Sequence, residues 1–192
     1  MWEKLYKKQG IKSQREYPNE SLIAFIKQNI KKGSKVLELG CGSGANMWFL
    51  AKEGMETYGI DYAPKGIEYC KEILKKWNVE ADIKVGDMRK LEYKNELFDA
   101  IVDIVSLQHV KEKKEVMEEV YRCLKPNGRF FSYHIAGGNI KELFPDYTFY
   151  FPTEIKIILE KARFKEIKID KVLRTYNNQE FNIEYLVIKA KK

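Results

Sequence analysis

The chain has 192 residues, 44% hydrophobic and 13% aromatic, with 35 lysines and arginines against 28 carboxylates for a net charge of +7. That length and composition predict one folded domain over 1–192 and exclude a disordered chain. No apolar run is long enough for a bilayer, the N-terminal MWEKLYKKQG has no secretory segment, and three cysteines lack metal-ligand spacing, so a cytoplasmic protein without membrane or metal is expected.

Residues 1–17 place Trp2, Leu5, Tyr6 and Tyr17 among lysines, an amphipathic pattern, and a helix follows from Pro18-Asn19 with Leu22, Ile23, Ile26 and Ile30 as its stripe and Gly33 as its stop. Val36 to Leu39 reads as a buried strand, Gly40-Cys41-Gly42-Ser43-Gly44 as a tight turn, and Ala45, Trp48, Phe49 and Lys52 as a helical face. Strand, glycine turn and helix open a nucleotide-binding βαβ unit, in which a Cβ at the turn would keep a ligand off the backbone. Gly40-x-Gly42-x-x-Ala45 also satisfies the dinucleotide fingerprint. Glu38 counts against a dinucleotide and for a ligand that carries a cation, because a buried acid beside a pyrophosphate is repelled and one beside an ammonium is attracted.

The second strand, Glu56 to Asp61, ends in a carboxylate about twenty residues after Gly42, the interval of an acid that grips a ribose through its two vicinal hydroxyls. Tyr62 beside it is a candidate surface for the base. Pro64 opens a helix with Ile67, Cys70, Leu74 and Trp77 inward, and Ala81 to Val85 is the third strand, followed by Gly86-Asp87-Met88. Phe98 to Asp103 is the fourth strand, with Ile104 to His109 leading into a helix faced by Val116, Met117, Val120, Tyr121 and Leu124. Lys125-Pro126-Asn127-Gly128 turns the chain into a fifth strand, Phe130 to Tyr133. Residues 134–151 break periodicity and read as a substrate-side loop with Gly137-Gly138 as hinge and Phe144 and Tyr147 in an aromatic wall. Thr153 begins the last helix, and strands near 165–173 and 182–190 close the sheet.

Glu38-x-Gly40-x-Gly42-x-Gly44, Gly86-Asp87-Met88, the Phe98-Asp99 strand and Leu124-Lys125-Pro126-Asn127-Gly128, in that order, resemble the class I S-adenosylmethionine-dependent methyltransferases, small single-domain members of the type 11/12 kind. The resemblance implies an α/β fold with a doubly wound, seven-stranded, mostly parallel, Rossmann-like sheet whose last strand is antiparallel. It implies S-adenosyl-L-methionine as cofactor, S-adenosyl-L-homocysteine as product, and a cofactor-binding set of Glu38, Gly40, Cys41, Gly42, Gly44, Asp61, Tyr62, Asp87, Met88, Asp103 and Ile104. Glu38 would lie near the methionine amine and Asp87 at the exocyclic amine of adenine, with Met88 as an apolar wall. Residues 1–33 would supply an N-terminal lid and helix, with Tyr6, Arg15 and Tyr17 as lid candidates. His134, at the end of the fifth strand, is the candidate base.

The expected reaction is methyl transfer to oxygen, nitrogen or carbon of a small or medium-sized acceptor, by a monomer or homodimer. Arg163-Phe164 departs from the family's usual Gly-Phe, and the motifs of the amine-directed DNA and cytosine-C5 enzymes are absent from the chain. Most of the cations are lysines, poor forks for phosphate or base edges, so an RNA methyltransferase is an alternative without being favoured. A nicotinamide-dependent oxidoreductase and a non-catalytic cofactor-binding regulator are the alternatives of other classes.

Overall fold

The computed structural model describes residues 2–10, 15–138, 151–176 and 181–192. Its strands are β1 (Lys35–Leu39), β2 (Glu56–Asp61), β3 (Asp82–Val85), β4 (Phe98–Ile104), β5 (Leu124–Gly138), β6 (Lys165–Tyr176) and β7 (Phe181–Lys191), joined in one sheet in the order β3-β2-β1-β4-β5-β7-β6. The pairs from β3 through β5 are parallel, and β7 runs antiparallel to both β5 and β6. The sheet is the one expected, including its reversed last strand.

Helices α1 (Trp2–Gln9), α2 (Glu20–Asn29), α3 (Met47–Lys52), α4 (Pro64–Trp77), α5 (Lys113–Cys123) and α6 (Pro152–Lys161) flank it. Because side chains alternate across a strand, Leu37, Leu39 and Ile101 pack with Val116 and Met117 of α5 and Ile155 of α6, while Val36, Ala100 and Val102 pack with Leu22 and Ile26 of α2 and Leu50 of α3. Both faces are therefore covered, and β1 and β4 are buried on both sides along most of their length.

Local chemistry sets the helix ends. Asn19 accepts the Ser21 and Leu22 backbone N–H groups at 2.9 and 3.1 Å and so starts α2. Pro64 occupies the first turn of α4, and Asn78, with φ of 49°, ends it. The N-cap of α4, Ala63, has no capping side chain, and α1 supplies one across the chain: Glu3 accepts the Lys65 backbone N–H at 3.0 Å. Beside that contact Tyr6 is buried over Gly66, where an added Cβ would come within 3.2 Å of its ring.

Two local expectations are corrected. β5 continues to Gly138, so residues 134–138 are strand rather than loop, and Gly137 and Gly138 stand opposite Glu184 and Ile183 of β7 instead of hinging. The long antiparallel partner supplies hydrogen bonds that carry the strand on, and the glycines sit beside a register shift after Ile135, where an irregular strand needs them. Ahead of α5, the lead-in from Ile104 contains a short 3-10 turn, Leu107 to His109. Phe144 and Tyr147, expected in the substrate-side wall, lie outside the described residues.

Candidate functional site

A cavity of about 630 Å³ lies beyond the C-terminal ends of β1 to β4, centred where the strand order reverses between β1 and β4. In open α/β sheets this crevice is where ligands bind, because the adjoining loops diverge to opposite faces. One wall is the glycine turn after β1, in which Gly40, Gly42 and Gly44 have φ of 63°, 52° and 89°. Gly40 cannot be replaced without collision, since a Cβ there would lie 2.4 Å from Cβ of Ser106.

Glu38 is 1% exposed and reaches the cavity wall. Its Oε1 accepts the Asn46 amide at 2.5 Å, while Oε2 is buried with no hydrogen-bond partner among the described residues. Burial pushes its carboxyl up to about 8, against the Asn46 hydrogen bond, which favours the charged form. A buried acceptor left open on a cavity wall fits a ligand cation, which would restore the ionised state.

Asp61 lies across the glycine turn from Glu38. One oxygen accepts the Gly42 N–H and the other the Ala63 N–H, both at 2.8 Å. Burial raises its carboxyl, and those backbone donors oppose the rise. The two bonds fix the plane of the carboxylate and leave each oxygen further acceptor capacity, the arrangement two vicinal hydroxyls require.

Glu38, Gly40, Cys41, Gly42, Asp61, Tyr62, Asp87, Met88 and Ile104 all line the cavity, as do Tyr6 and Arg15 of the N-terminal segment. Asp87 is already engaged, its Oδ1 and Oδ2 accepting from the Arg89 guanidinium at 3.1 and 2.6 Å, and that pair holds its carboxyl below the usual range. Gly44 stays outside the lining, where it makes room for Cys70, whose Sγ would lie 2.7 Å from an added Cβ. Tyr17 is 67% exposed and also outside the lining.

Asp103 and His134 depart furthest from expectation. The register pairs Leu39 with Asp103, so Asp103 shares the Leu39 face of the sheet, opposite to Glu38, and its carboxylate turns inward to Ser106, Leu107 and Ser132. His134 is fully buried outside the cavity lining, with Nδ1 3.2 Å from Ser132 Oγ, and burial drops its pKa to about 3. A group so placed and so weakly basic does not match the expected base.

Several lining residues escaped the sequence reading: Trp2, Asn46, Val105, Ser106, His109 and Glu112. Asn46 had a legible signal, an amide directly after the glycine motif and before an apolar helix, where it caps nothing with its own side chain and holds Glu38 instead. Its carbonyl oxygen accepts the Asn19 N–H at 2.9 Å, linking the start of α2 to the carboxylate. His109, read from the sequence as the end of the lead-in to α5, lines the cavity with its ring edge-on to Trp2 at 5.2 Å, and burial lowers its pKa to about 4.

The sheet order, the glycine turn and the paired acids define a Rossmann-like α/β protein of the methyltransferase class. A family model described as a methyltransferase domain matches residues 30–183, and the chain belongs to that family. It is 29% identical over 124 residues to a sterol 4-C-methyltransferase of Caenorhabditis elegans, covering 62% of this chain and 37% of the relative. To a demethylmenaquinone methyltransferase of Lactobacillus johnsonii it is 31% identical, covering 55% of this chain and 45% of that one. The chain thus spans less than half the length of these curated relatives. Phosphoethanolamine N-methyltransferase 2 of Haemonchus contortus, solved with S-adenosyl-L-methionine, superposes with a TM-score of 0.80 at 19% identity, over 91% of this chain and 52% of that one.

Proposed function

We propose that this chain is an S-adenosylmethionine-dependent methyltransferase acting on a small or medium-sized acceptor. The observation that carries the reading is the buried, unpartnered Glu38 Oε2 on the cavity wall, one glycine turn away from the fixed carboxylate of Asp61. An α-amino group answers the first and a ribose the second. Both occur in one molecule, a thioether nucleoside, on either side of its sulfur.

The residues fit that cofactor. Glu38 would hold the ammonium, Asp61 the ribose hydroxyls, and Met88 and Tyr62 the flanks of the base, with Asp87 within reach of the exocyclic amine once it shares its oxygens with Arg89. When bound, the cofactor supplies a sulfonium methyl group, which an acceptor takes by in-line displacement. The chain's own part is positioning: the wall after β4 and the N-terminal helix confine the acceptor, and such confinement supplies a large part of a displacement barrier. Membership in the methyltransferase family supports the same chemistry.

Small acceptors are favoured by the shape of the site, since α1 roofs the cavity with Trp2 and Tyr6. The relatives named above for sterol, menaquinone-precursor and phosphoethanolamine methylation support that class. Free thiols at Cys41, Cys70 and Cys123 support a cytoplasmic setting; among the described residues no helix is long and apolar enough to cross a membrane.

Titration calorimetry with S-adenosyl-L-homocysteine against NAD tests the cofactor, and a panel of acceptors with labelled methyl donor tests the reaction. Heat with NAD alone sinks the reading. Binding of S-adenosyl-L-homocysteine without transfer to any acceptor leaves a cofactor-binding regulator in its place.

A further inference from the structure

The strongest unexplained feature is in the cavity wall that follows β4. Val105 has φ of 60°, a left-handed conformation that a β-branched side chain adopts only under constraint, and it lines the cavity directly after β4. Such strain costs about 1–3 kcal/mol and persists where the surroundings over-determine it. Here they do. The Val105 N–H donates to Tyr133 O at 2.8 Å, and its carbonyl accepts from the buried Gln108 amide at 2.7 Å.

The centre of the constraint is Asp103, 0% exposed. Its Oδ1 accepts the Ser106 and Leu107 backbone N–H groups at 3.2 and 3.1 Å and the Ser106 hydroxyl, and its Oδ2 accepts the Ser132 hydroxyl at 2.7 Å. Three of those four donors belong to the two residues following Val105, and the fourth ties the cluster to β5. Ser106 in turn presses on Gly40, so the same bonds set the spacing between this wall and the glycine turn.

We propose that Asp103 is a positioning residue: its buried carboxylate locks Val105 and Ser106 into the wall against which the sulfur and amino-acid end of the donor rests, without touching the donor itself. The proposal rests on the methyltransferase reading above. It predicts a selective effect, because the adenosine end would be held chiefly from β2, by Asp61, whose oxygens are fixed by Gly42 and Ala63 and not by the Asp103 cluster.

The test compares two ligands by calorimetry: S-adenosyl-L-homocysteine, and 5′-methylthioadenosine, which keeps the adenosine and lacks the amino-acid chain. Asp103→Asn is expected to weaken S-adenosyl-L-homocysteine about tenfold while changing 5′-methylthioadenosine less than about twofold, the scale of releasing one strained residue. Val105→Gly supplies the second reading. Glycine adopts a positive φ without penalty, so Asp103→Asn should cost several-fold less in that background. Should Asp103→Asn fail to fold, Ser132→Ala removes one of the four bonds and should give a smaller loss with the same ligand selectivity.

Equal weakening of both ligands, or an undiminished loss in the Val105→Gly background, overturns the positioning role. If the unaltered protein binds neither ligand, the cofactor reading itself has failed, and the two failures are told apart by that control.

Discussion

At the scale of single residues, Glu38 carries the most chemistry. With its carboxyl pushed up to about 8, it is mostly protonated at neutral pH in the free protein. An ammonium beside it would draw the proton off. Binding of S-adenosyl-L-homocysteine at about pH 7 should therefore release most of one proton, seen as a buffer-dependent enthalpy, and affinity should rise with pH up to about 8. Glu38→Gln should abolish the proton release and weaken binding by tenfold or more, on the scale of a lost charge-assisted hydrogen bond. The same group makes a second prediction for stability. The folded carboxyl binds its proton more tightly than the unfolded one, so its contribution is fully present below its ordinary value of 4.5 and is lost as pH rises through about 8. Melting curves of the free protein should show the unaltered chain losing stability relative to Glu38→Gln across that window. A gap that widens in the other direction would place Glu38 in a different environment. Asp103, an acid at the same C-terminal end of the strands, is buried on the opposite face outside the cavity lining, which is a difference of one residue in strand register.

At the scale of elements, α1 closes the site through few contacts: Glu3 on the open N-terminus of α4, Tyr6 over Gly66, and Trp2 against His109. A short helix held that way gains little on its own, so its opening should govern ligand exchange. Tyr6→Ala is expected to speed dissociation of S-adenosyl-L-homocysteine, followed by stopped-flow Trp2 fluorescence, with smaller change in the melting temperature than a core truncation would give. The glycine turn is the opposite case. Gly40→Ala combines a left-handed backbone with a collision at Ser106, and should cost about 2–4 kcal/mol in urea unfolding. An alanine tolerated there would mean that β4 and the turn are farther apart than described.

At the scale of the whole molecule, a net charge of +7 invites nonspecific attraction to nucleic acid. Some cations face carboxylates, as where Lys125 meets Asp99 at 2.8 Å and Lys35 meets Glu56 at 2.7 Å, while the excess stays on the surface. A fluorescent RNA oligomer should bind weakly and be released between about 0.05 and 0.2 M salt, the mark of counterion exchange rather than recognition; retention at the higher salt would favour an RNA acceptor over a small one. The sequence by itself determined the succession of strands from β1 to β5, the glycine turn, and the places of Glu38 and Asp61 beside it, because each rests on local rules: period two in strands, positive φ at glycine, a fixed interval between turn and acid. It determined the reversed last strand through resemblance. It could not assign Asp103, His134, Asn46 or Val105. Which face a strand residue takes, which neighbour answers a buried carboxylate, and whether a histidine meets solvent or core depend on register and on contacts between distant segments, and only the tertiary structure supplies those.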